Sequence, residues 1–379
     1  MRISLYNDRE ATENGGESLL TRAECNALRG IAILGIFLHN FCHWLNPVVK
    51  ENEYQYFQHN VDWFAQCAAR VNELFPAHVI SFFGHYGVPV FLFLSAYGLE
   101  MKYGNGQGKA PDGRRVVVSS FVRYHYLKLF KMMIVGFICF TVVDAMTAGS
   151  WHYNVAQIVG QLLMINNFYD QPDRNIWPGP FWFFGLMLQL YVVYRLLLYR
   201  RHWGWTVGLM LICIGIQLIL GFDNPESEAM NRYRYNFMGG MLPFGLGILY
   251  ARYGEKILMT FHSPITNLFG CIFCISLIYS LSLNMIGWTF VPFFICLLCV
   301  LVAEMLQNIS WLSGVYKVLE WMGSISAALF VSHPISRKIF IPISRHGDIY
   351  AGLLLYIIAS ICIAWLFTQL MKKIPNPKY

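Results

Sequence analysis

The sequence predicts an all-α, polytopic membrane protein, and three observations support this fold class. Hydrophobic residues make up 56% of the 379 residues and charged residues only 13%, about half the charge of an average soluble protein. The mean hydropathy is +0.45. Apolar segments long enough to cross the hydrocarbon core of a bilayer recur along the whole chain. These features exclude a soluble globular protein, a disordered chain and a disulfide-stapled secreted module.

About ten segments have the length and apolar character of a membrane-spanning helix. They lie at about 27–45, 79–100, 132–148, 181–199, 204–221, 237–252, 265–283, 286–304, 323–343 and 350–371. The segment 151–168 is moderately apolar and is bounded by polar residues. It predicts an interfacial or re-entrant helix rather than an eleventh span.

The distribution of basic residues predicts that both termini lie in the cytosol. With ten spans, about twenty of the Lys and Arg side chains fall on the cytosolic side, as the positive-inside rule requires. The stretch 101–131 contributes the largest share. Residues 1–26 then form a polar cytosolic arm, 27–371 a single membrane domain, and 372–379 a cytosolic tail. The net charge of +7 is explained by this topology, and no nucleic-acid partner is predicted.

The first span carries ionisable side chains along one helix, namely Arg29, His39 and His43. Such groups are costly inside a membrane and are therefore candidates for function. Arg29 is expected at the cytosolic end, and the two histidines at and beyond the middle of the membrane. Histidine accepts and returns a proton near neutral pH, which makes His39 and His43 candidate general bases. The structural alternative is that both imidazoles serve helix packing.

Other polar side chains near the spans allow two interpretations each. Arg123, Lys128 and Lys131 precede the third span, either as positive-inside anchors or as a phosphate-binding rim for a nucleotide-bearing donor. His333 lies just before Pro334 in the ninth span, where a structural and a catalytic role are both open. His85, near the outer end of the second span, is expected to be structural.

The cysteines form a pattern that imitates a metal site. Cys271 and Cys274 in the seventh span and Cys296 and Cys299 in the eighth spell two CxxC pairs. A metal site needs thiolates, polar second-shell partners and an entry route, and these pairs lie in almost wholly apolar helices. We therefore predict helix packing at these positions and no metal site.

The chain resembles the membrane-bound acyltransferase family 3, whose members O-acylate bacterial surface polysaccharides. The motifs are LRGIAILGIFLHNF in span one, FFGHYGVPVFLFLSAYGL in span two, FVRYHYLKLFK before span three, GPFWFFGLMLQLYVVYRLL in span four, LPFGLGILYAR in span six and MGSISAALFVSHPI in span nine. The likeness covers about residues 24–371.

This resemblance implies an O-acyltransferase of the bacterial cytoplasmic (inner) membrane. Its donor would be cytosolic acyl-CoA, with acetyl-CoA favoured, and its acceptor a hydroxyl of a surface or lipid-linked saccharide at the outer face. Acyl-CoA would be a substrate and no bound cofactor is implied; membrane lipids would be its other contacts, and a homo-oligomer is compatible with this role. The resemblance leaves open whether the acyl group passes directly to the sugar or rests first on histidine.

The resemblance also implies roles for individual residues. His39, His43 and His333 would form the catalytic set, and Arg29, Arg123, Lys128 and Lys131 would bind acyl-CoA. The family usually places ten residues between the arginine and the histidine of span one, whereas nine intervene here and Asn40 takes the usual place. Either His39 or His43 could therefore be the base. The alternative function is a secondary transporter or polysaccharide exporter that uses the histidines as a proton relay.

Overall fold

The computed structural model confirms the all-α fold class. It describes residues 19–104, 116–258, 264–308 and 313–378. Residues 1–18, which form most of the predicted N-terminal arm, and residues 105–115 of the basic 101–131 stretch lie outside the described residues, as does residue 379.

The helices follow one another with short connections. The first eight are α1 Arg22–Cys42, α2 Gln58–Ala69, α3 Phe75–Phe83, α4 Gly87–Tyr103, α5 Val118–Met146, α6 Val155–Leu163, α7 Pro172–Asn175 and α8 Trp182–Val193. The others are α9 Trp203–Asp223, α10 Glu228–Tyr235, α11 Phe237–Leu258, α12 Pro264–Ser282, α13 Met285–Asn308, α14 Ser313–Ser324, α15 Ser326–His346 and α16 Ile349–Lys373. A 3₁₀ turn at Gly84–Tyr86 joins α3 to α4.

In the described part of the chain, eight helical segments are long and apolar enough to cross a membrane. They include α1, the continuous α3–α4 segment and α16. The two remaining predicted spans form the helices α11 and α15, which are long enough but do not reach the same apolar character. α15 carries His333 and Arg337, and both are buried by neighbouring helices. A helix in this position need not be apolar all round, because protein rather than lipid covers its polar side chains.

The segment 151–168 enters the bundle and turns back. Its helix α6 has nine residues, too few to span a bilayer. Gln161 donates a hydrogen bond to Met133 Sδ midway along α5 at 3.2 Å, and Tyr126 donates to the Leu162 carbonyl at 2.9 Å. The left-handed backbone of Met164 ends the helix. Of the two predicted possibilities, an interfacial or a re-entrant helix, these contacts agree with the re-entrant one.

The start of α1 is fixed by a capping box at Thr21 and Glu24. Further along, α1 packs closely against α14 and against the α3–α4 junction. A Cβ atom at Gly30 would lie 2.1 Å from the Leu319 carbonyl oxygen. A Cβ at Gly84 would lie 2.6 Å from the Gly35 carbonyl oxygen and 2.7 Å from His39 Cβ. Both glycines are required for these helices to approach so closely, and Gly84 fixes the surroundings of His39.

The loop 43–57, which follows α1, lies at the predicted outer end of the bundle and is tied to other segments there. Arg234 of α10 donates from Nε to the Glu53 carbonyl at 3.1 Å. Trp288 of α13 donates from Nε1 to the Asn52 carbonyl at 2.7 Å. The loop is therefore an ordered part of the bundle end, held by two helices distant in sequence.

Candidate active site

His39 is held in one tautomer by a backbone carbonyl. It is 1% exposed, and its Nδ1 lies 2.8 Å from the Ser81 carbonyl oxygen. Because a carbonyl can only accept a hydrogen bond, Nδ1 must carry the proton and Nε2 must carry the lone pair. Among the described residues, no group forms a hydrogen bond with Nε2. His39 therefore presents a free basic nitrogen inside the bundle.

His43 and Glu51 complete a cluster with His39. The His39 and His43 rings, one helical turn apart, have centroids 4.7 Å apart. Glu51 Oε1 lies 3.0 Å from His43 Nδ1 and 3.9 Å from His39 Nε2. Lys50 also donates to the His43 carbonyl. One carboxylate thus faces both imidazoles of α1.

Glu51 lies in the loop beyond α1 and is suited to remain ionised. Burial alone would raise the pKa of its carboxyl, but the electrostatic interactions with the His43 and His39 imidazoles and the hydrogen bond from His43 together lower that pKa below its ordinary value. A negative charge at this point stabilises a protonated imidazole nearby. The sequence analysis missed Glu51, because nothing in the sequence indicates that the loop returns to the end of α1.

His85 lies beside this cluster. Its ring centroid is 5.6 Å from that of His39, and the residue is 4% exposed. Within the described parts of the chain, neither of its ring nitrogens has a hydrogen-bond partner. A histidine kept for packing normally has such a partner. Its position and its unpartnered nitrogens make His85 a further candidate for the chemistry of the cluster.

Asn40 takes the place where the family that the sequence resembles usually has its histidine. It makes contacts other than those of His39. Its amide donates to the Ile36 carbonyl of its own helix at 2.9 Å. Its backbone carbonyl accepts from Arg337 Nη1 of α15 at 3.2 Å. The Arg337 guanidinium also lies 5.3 Å from the centre of the Trp44 ring. His39, rather than Asn40, thus faces Glu51 and His85.

His333 lies on α15 behind this arrangement. It is fully buried, and its Nδ1 lies 3.1 Å from the Leu329 carbonyl oxygen one turn earlier. It is close enough to Arg337 and His39 to interact electrostatically with both. The structure brings it near the cluster but gives it no direct contact with Glu51.

A second group of predicted residues meets at the inner end of α1. Arg29 donates to the Asn26 side chain at 3.3 Å, and its charge acts on Lys128 of α5 and on Tyr191 of α8. Lys128 in turn interacts with Lys102 at the end of α4. We call Arg29, Lys102 and Lys128 the basic rim. Lys102 was not among the predicted donor-binding residues.

Lys131 and Arg123, the other two predicted donor-binding residues, are not part of the basic rim. Lys131 donates to the Ile374 carbonyl at 2.6 Å and to the Asn376 side chain at 3.1 Å. It therefore holds the segment that follows α16. Arg123 is exposed on the first turns of α5. Lys131 and Arg123 share α5 with Lys128, but only Lys128 is seen to interact with Arg29.

Among the described residues, one group of three side chains has the spacing of a metal site. His39, His43 and Glu51 each offer one ligand atom, and these atoms lie within 4.8 Å of one another. Two imidazoles and a carboxylate suit zinc. The same three groups also form the proton-handling cluster described above, so the two roles compete. The ten cysteines are all free thiols, and the CxxC pairs pack among apolar side chains.

Comparison with known proteins gives one match. A protein-family model described as an acyltransferase domain, that of the acyltransferase 3 family, matches residues 22–369. No curated protein and no solved structure matches the chain. The match covers nearly all of the predicted membrane domain and favours acyl transfer over the transporter alternative.

Proposed function

The chain belongs to the membrane-bound acyltransferase 3 family, and from that premise we propose that it moves an acyl group from cytosolic acyl-CoA to a saccharide hydroxyl at the outer face. Acetyl-CoA is the favoured donor. The resemblance to enzymes that modify bacterial surface polysaccharides supports a surface or lipid-linked saccharide as acceptor and the bacterial cytoplasmic membrane as location.

The proposal depends on one observation, the orientation of His39. Its Nδ1 is bound to the Ser81 carbonyl and its Nε2 is left as a base. A sugar hydroxyl is a poor nucleophile at neutral pH, and a positioned imidazole increases its reactivity by removing the proton during attack. Glu51 Oε1, 3.9 Å from Nε2, stabilises the imidazolium that forms.

The reaction balances with these groups alone. The hydroxyl oxygen attacks the thioester carbonyl carbon, a C–O bond forms, and the hydroxyl proton passes to His39 Nε2. The C–S bond then breaks, and His39 returns the proton to the departing sulfur to give the ester and CoA thiol. Glu51 keeps His43 in place by the hydrogen bond at 3.0 Å and remains ionised throughout.

The basic rim suits the other end of the donor. Arg29 and Lys128 lie close enough together to interact, and paired cations bind phosphate groups of the kind CoA carries. Arg29 belongs to the same helix as His39, ten residues earlier. This separation is about 15 Å along the axis, which an extended pantetheine arm can bridge. The rim therefore supports entry of the donor from the cytosolic side.

The test uses the purified protein in lipid nanodiscs with radiolabelled acetyl-CoA. CoA release is followed by chromatography, with and without added saccharides. We expect His39→Ala to lower kcat by about 10²–10⁴-fold, the usual contribution of a general base. The matched control is His59→Ala, since His59 is exposed in α2 at the predicted outer end.

Both variants must keep the wild-type melting temperature and acetyl-CoA affinity, which separates lost chemistry from lost folding. CoA release by His39→Ala at the wild-type rate would contradict the role of His39. A wild-type protein that neither binds nor cleaves any acyl-CoA would contradict the proposed function as a whole.

A further inference from the structure

A cavity lies next to the histidine cluster and is lined in part by His85. Its walls come from the loop 43–57 and from the predicted outer halves of α4, α8, α10, α11 and α13. His85, Glu53 and Arg234 provide its polar lining. His39 does not line it, so His85 is the group through which the cavity meets the cluster.

The cavity is divided into an aromatic and polar part and an apolar part. Its aromatic lining residues are Tyr54, Tyr86, Trp182 and Trp288. Its deeper lining includes Leu92 and Leu186, which lie further along α4 and α8 from the outer end. The polar groups thus lie toward the outer face, where an acceptor would arrive.

The aromatic walls are held rigidly before any ligand binds. Tyr54 stacks on Tyr235 with ring centroids 4.0 Å apart, and the edge of Trp182 meets both rings. The Arg234 guanidinium lies 4.8 Å from the Trp288 ring centre. Walls fixed in this way lose little entropy on binding, which favours affinity.

We propose that this cavity binds a sugar residue of the acceptor, with Glu53 and Arg234 holding its hydroxyls and His85 contacting the hydroxyl that reacts. This assignment depends on the proposed acyl transfer. It makes the cavity the binding site of the acceptor. Aromatic rings pack against the C–H face of a pyranose while polar side chains bond its hydroxyls, and the cavity offers both kinds of group. A hydroxyl between the two imidazoles accepts from His85 and donates to His39 Nε2.

His85 provides the strongest support, because it is buried, lines the cavity and has two ring nitrogens that no described group satisfies. A buried polar group without a partner is costly, and a bound hydroxyl would supply one. Its ring centroid lies 5.6 Å from that of His39, so a hydroxyl bound at His85 would lie close to the proposed base.

The experiment measures sugar binding and turnover separately. Methyl β-D-glucoside and methyl N-acetyl-β-D-glucosaminide are the probes, with glycerol as the acyclic polyol. Binding is followed by saturation-transfer NMR on the protein in nanodiscs, and turnover by the KM for the sugar at saturating acetyl-CoA. Glu53→Gln and Arg234→Gln are the test variants. The controls are Glu73→Gln and Arg232→Gln, because both side chains are largely exposed.

We expect each test variant to raise the sugar KM or Kd by about tenfold or more, the effect of losing a hydrogen bond to a charged group. In the same variants we expect the KM for acetyl-CoA to change less than the sugar KM. The controls remain within about twofold of wild type. We expect His85→Gln, which keeps a hydrogen-bonding side chain, to lower kcat by a larger factor than it raises the sugar KM.

Two results would overturn the assignment. One is wild-type sugar affinity in both test variants, or failure of every probe to bind the wild-type protein. The other is an altered preference between acetyl-CoA and butyryl-CoA with unchanged sugar KM, which would make the cavity an acyl-chain pocket. Failure of the proposed function shows separately, as absent acyl-CoA cleavage, and the NMR arm still tests the cavity.

Discussion

The histidine cluster at the C-terminal end of α1 and the basic rim near its N-terminal end hold their charged groups differently. His39, His43 and Glu51 are at most 18% exposed in their side chains and contact one another at fixed distances. The rim contains only cations, and Lys102 and Lys128 are exposed. In the proposed function the cluster transfers one proton, whereas the rim binds the polyanionic end of the donor. Substitutions at the two ends should therefore change different kinetic constants.

Among the substitutions that compare the two ends, the largest effect is expected from Glu51→Gln. This change keeps the shape of the side chain but removes the negative charge beside His43 and His39, so the imidazolium is no longer stabilised. We expect kcat to fall by about 10²-fold with the KM values nearly unchanged, since a misplaced general base loses an effect of that order. Steady-state CoA release measures this, with exposed Asp62→Asn as control. A rise in the acetyl-CoA KM as large as the fall in kcat would contradict separate roles for the cluster and the basic rim.

At the rim, the double variant Arg29→Gln and Lys128→Gln should weaken the binding of acetyl-CoA. We expect the acetyl-CoA KM to rise by about tenfold or more, and kcat to stay within about threefold, because charge-assisted phosphate contacts are lost away from the reacting atoms. The same assay with dephospho-CoA thioesters sharpens the result. If the variant and the wild type differ equally for both donors, the rim does not bind the 3′-phosphate.

Metal removal separates the two roles open to the cluster. We expect dialysis against EDTA to leave kcat unchanged, because the His43–Glu51 hydrogen bond and the His39 lone pair suffice for the proton transfer. Mass spectrometry should then find less than one equivalent of zinc per chain. Loss of activity that returns with added zinc would make these three side chains ligands and exclude His39 as the base.

The smallest effect is expected from Lys131→Gln. Lys131 is already bonded to Ile374 and Asn376, so the acetyl-CoA KM should change by less than about twofold. Protease sensitivity of the C-terminal segment should increase, because its anchor is lost. A rise in KM comparable to that of the rim variant would place Lys131 in the donor site, as the sequence analysis predicted.

The parts that the sequence predicted are those determined within one helix. His39 and His43 are four residues apart, so their neighbouring rings follow from helical periodicity. The apolar segments likewise predicted the helices, including α11 and α15. The parts that were missed depend on contacts between distant segments. Glu51 comes from a loop, Ser81 contributes a backbone carbonyl, and neither has a local signal in the sequence.

The basic residues of α5 also show what the sequence alone does not predict. Arg123, Lys128 and Lys131 form one basic motif in the sequence, yet their neighbours differ. Lys128 interacts with Arg29, whereas Lys131 binds the segment after α16. Charge and spacing alone predict that such side chains reach the cytosolic surface. Which partner each one meets is decided by contacts with segments distant in the sequence, such as the residues after α16 that Lys131 binds.

The contact between Gly84 and α1 has a consequence for how substrates reach the site. With no side chain between them, the backbones at Gly35 and Gly84 touch, and His39 Cβ fills the remaining space. These two helices cannot slide or rotate against each other without a collision. His39 and His85 must therefore travel as a single rigid unit in any conformational change. If acyl-CoA and the acceptor enter from opposite sides as proposed, the gaps that admit them have to open elsewhere, between helices whose contacts are made by flexible side chains.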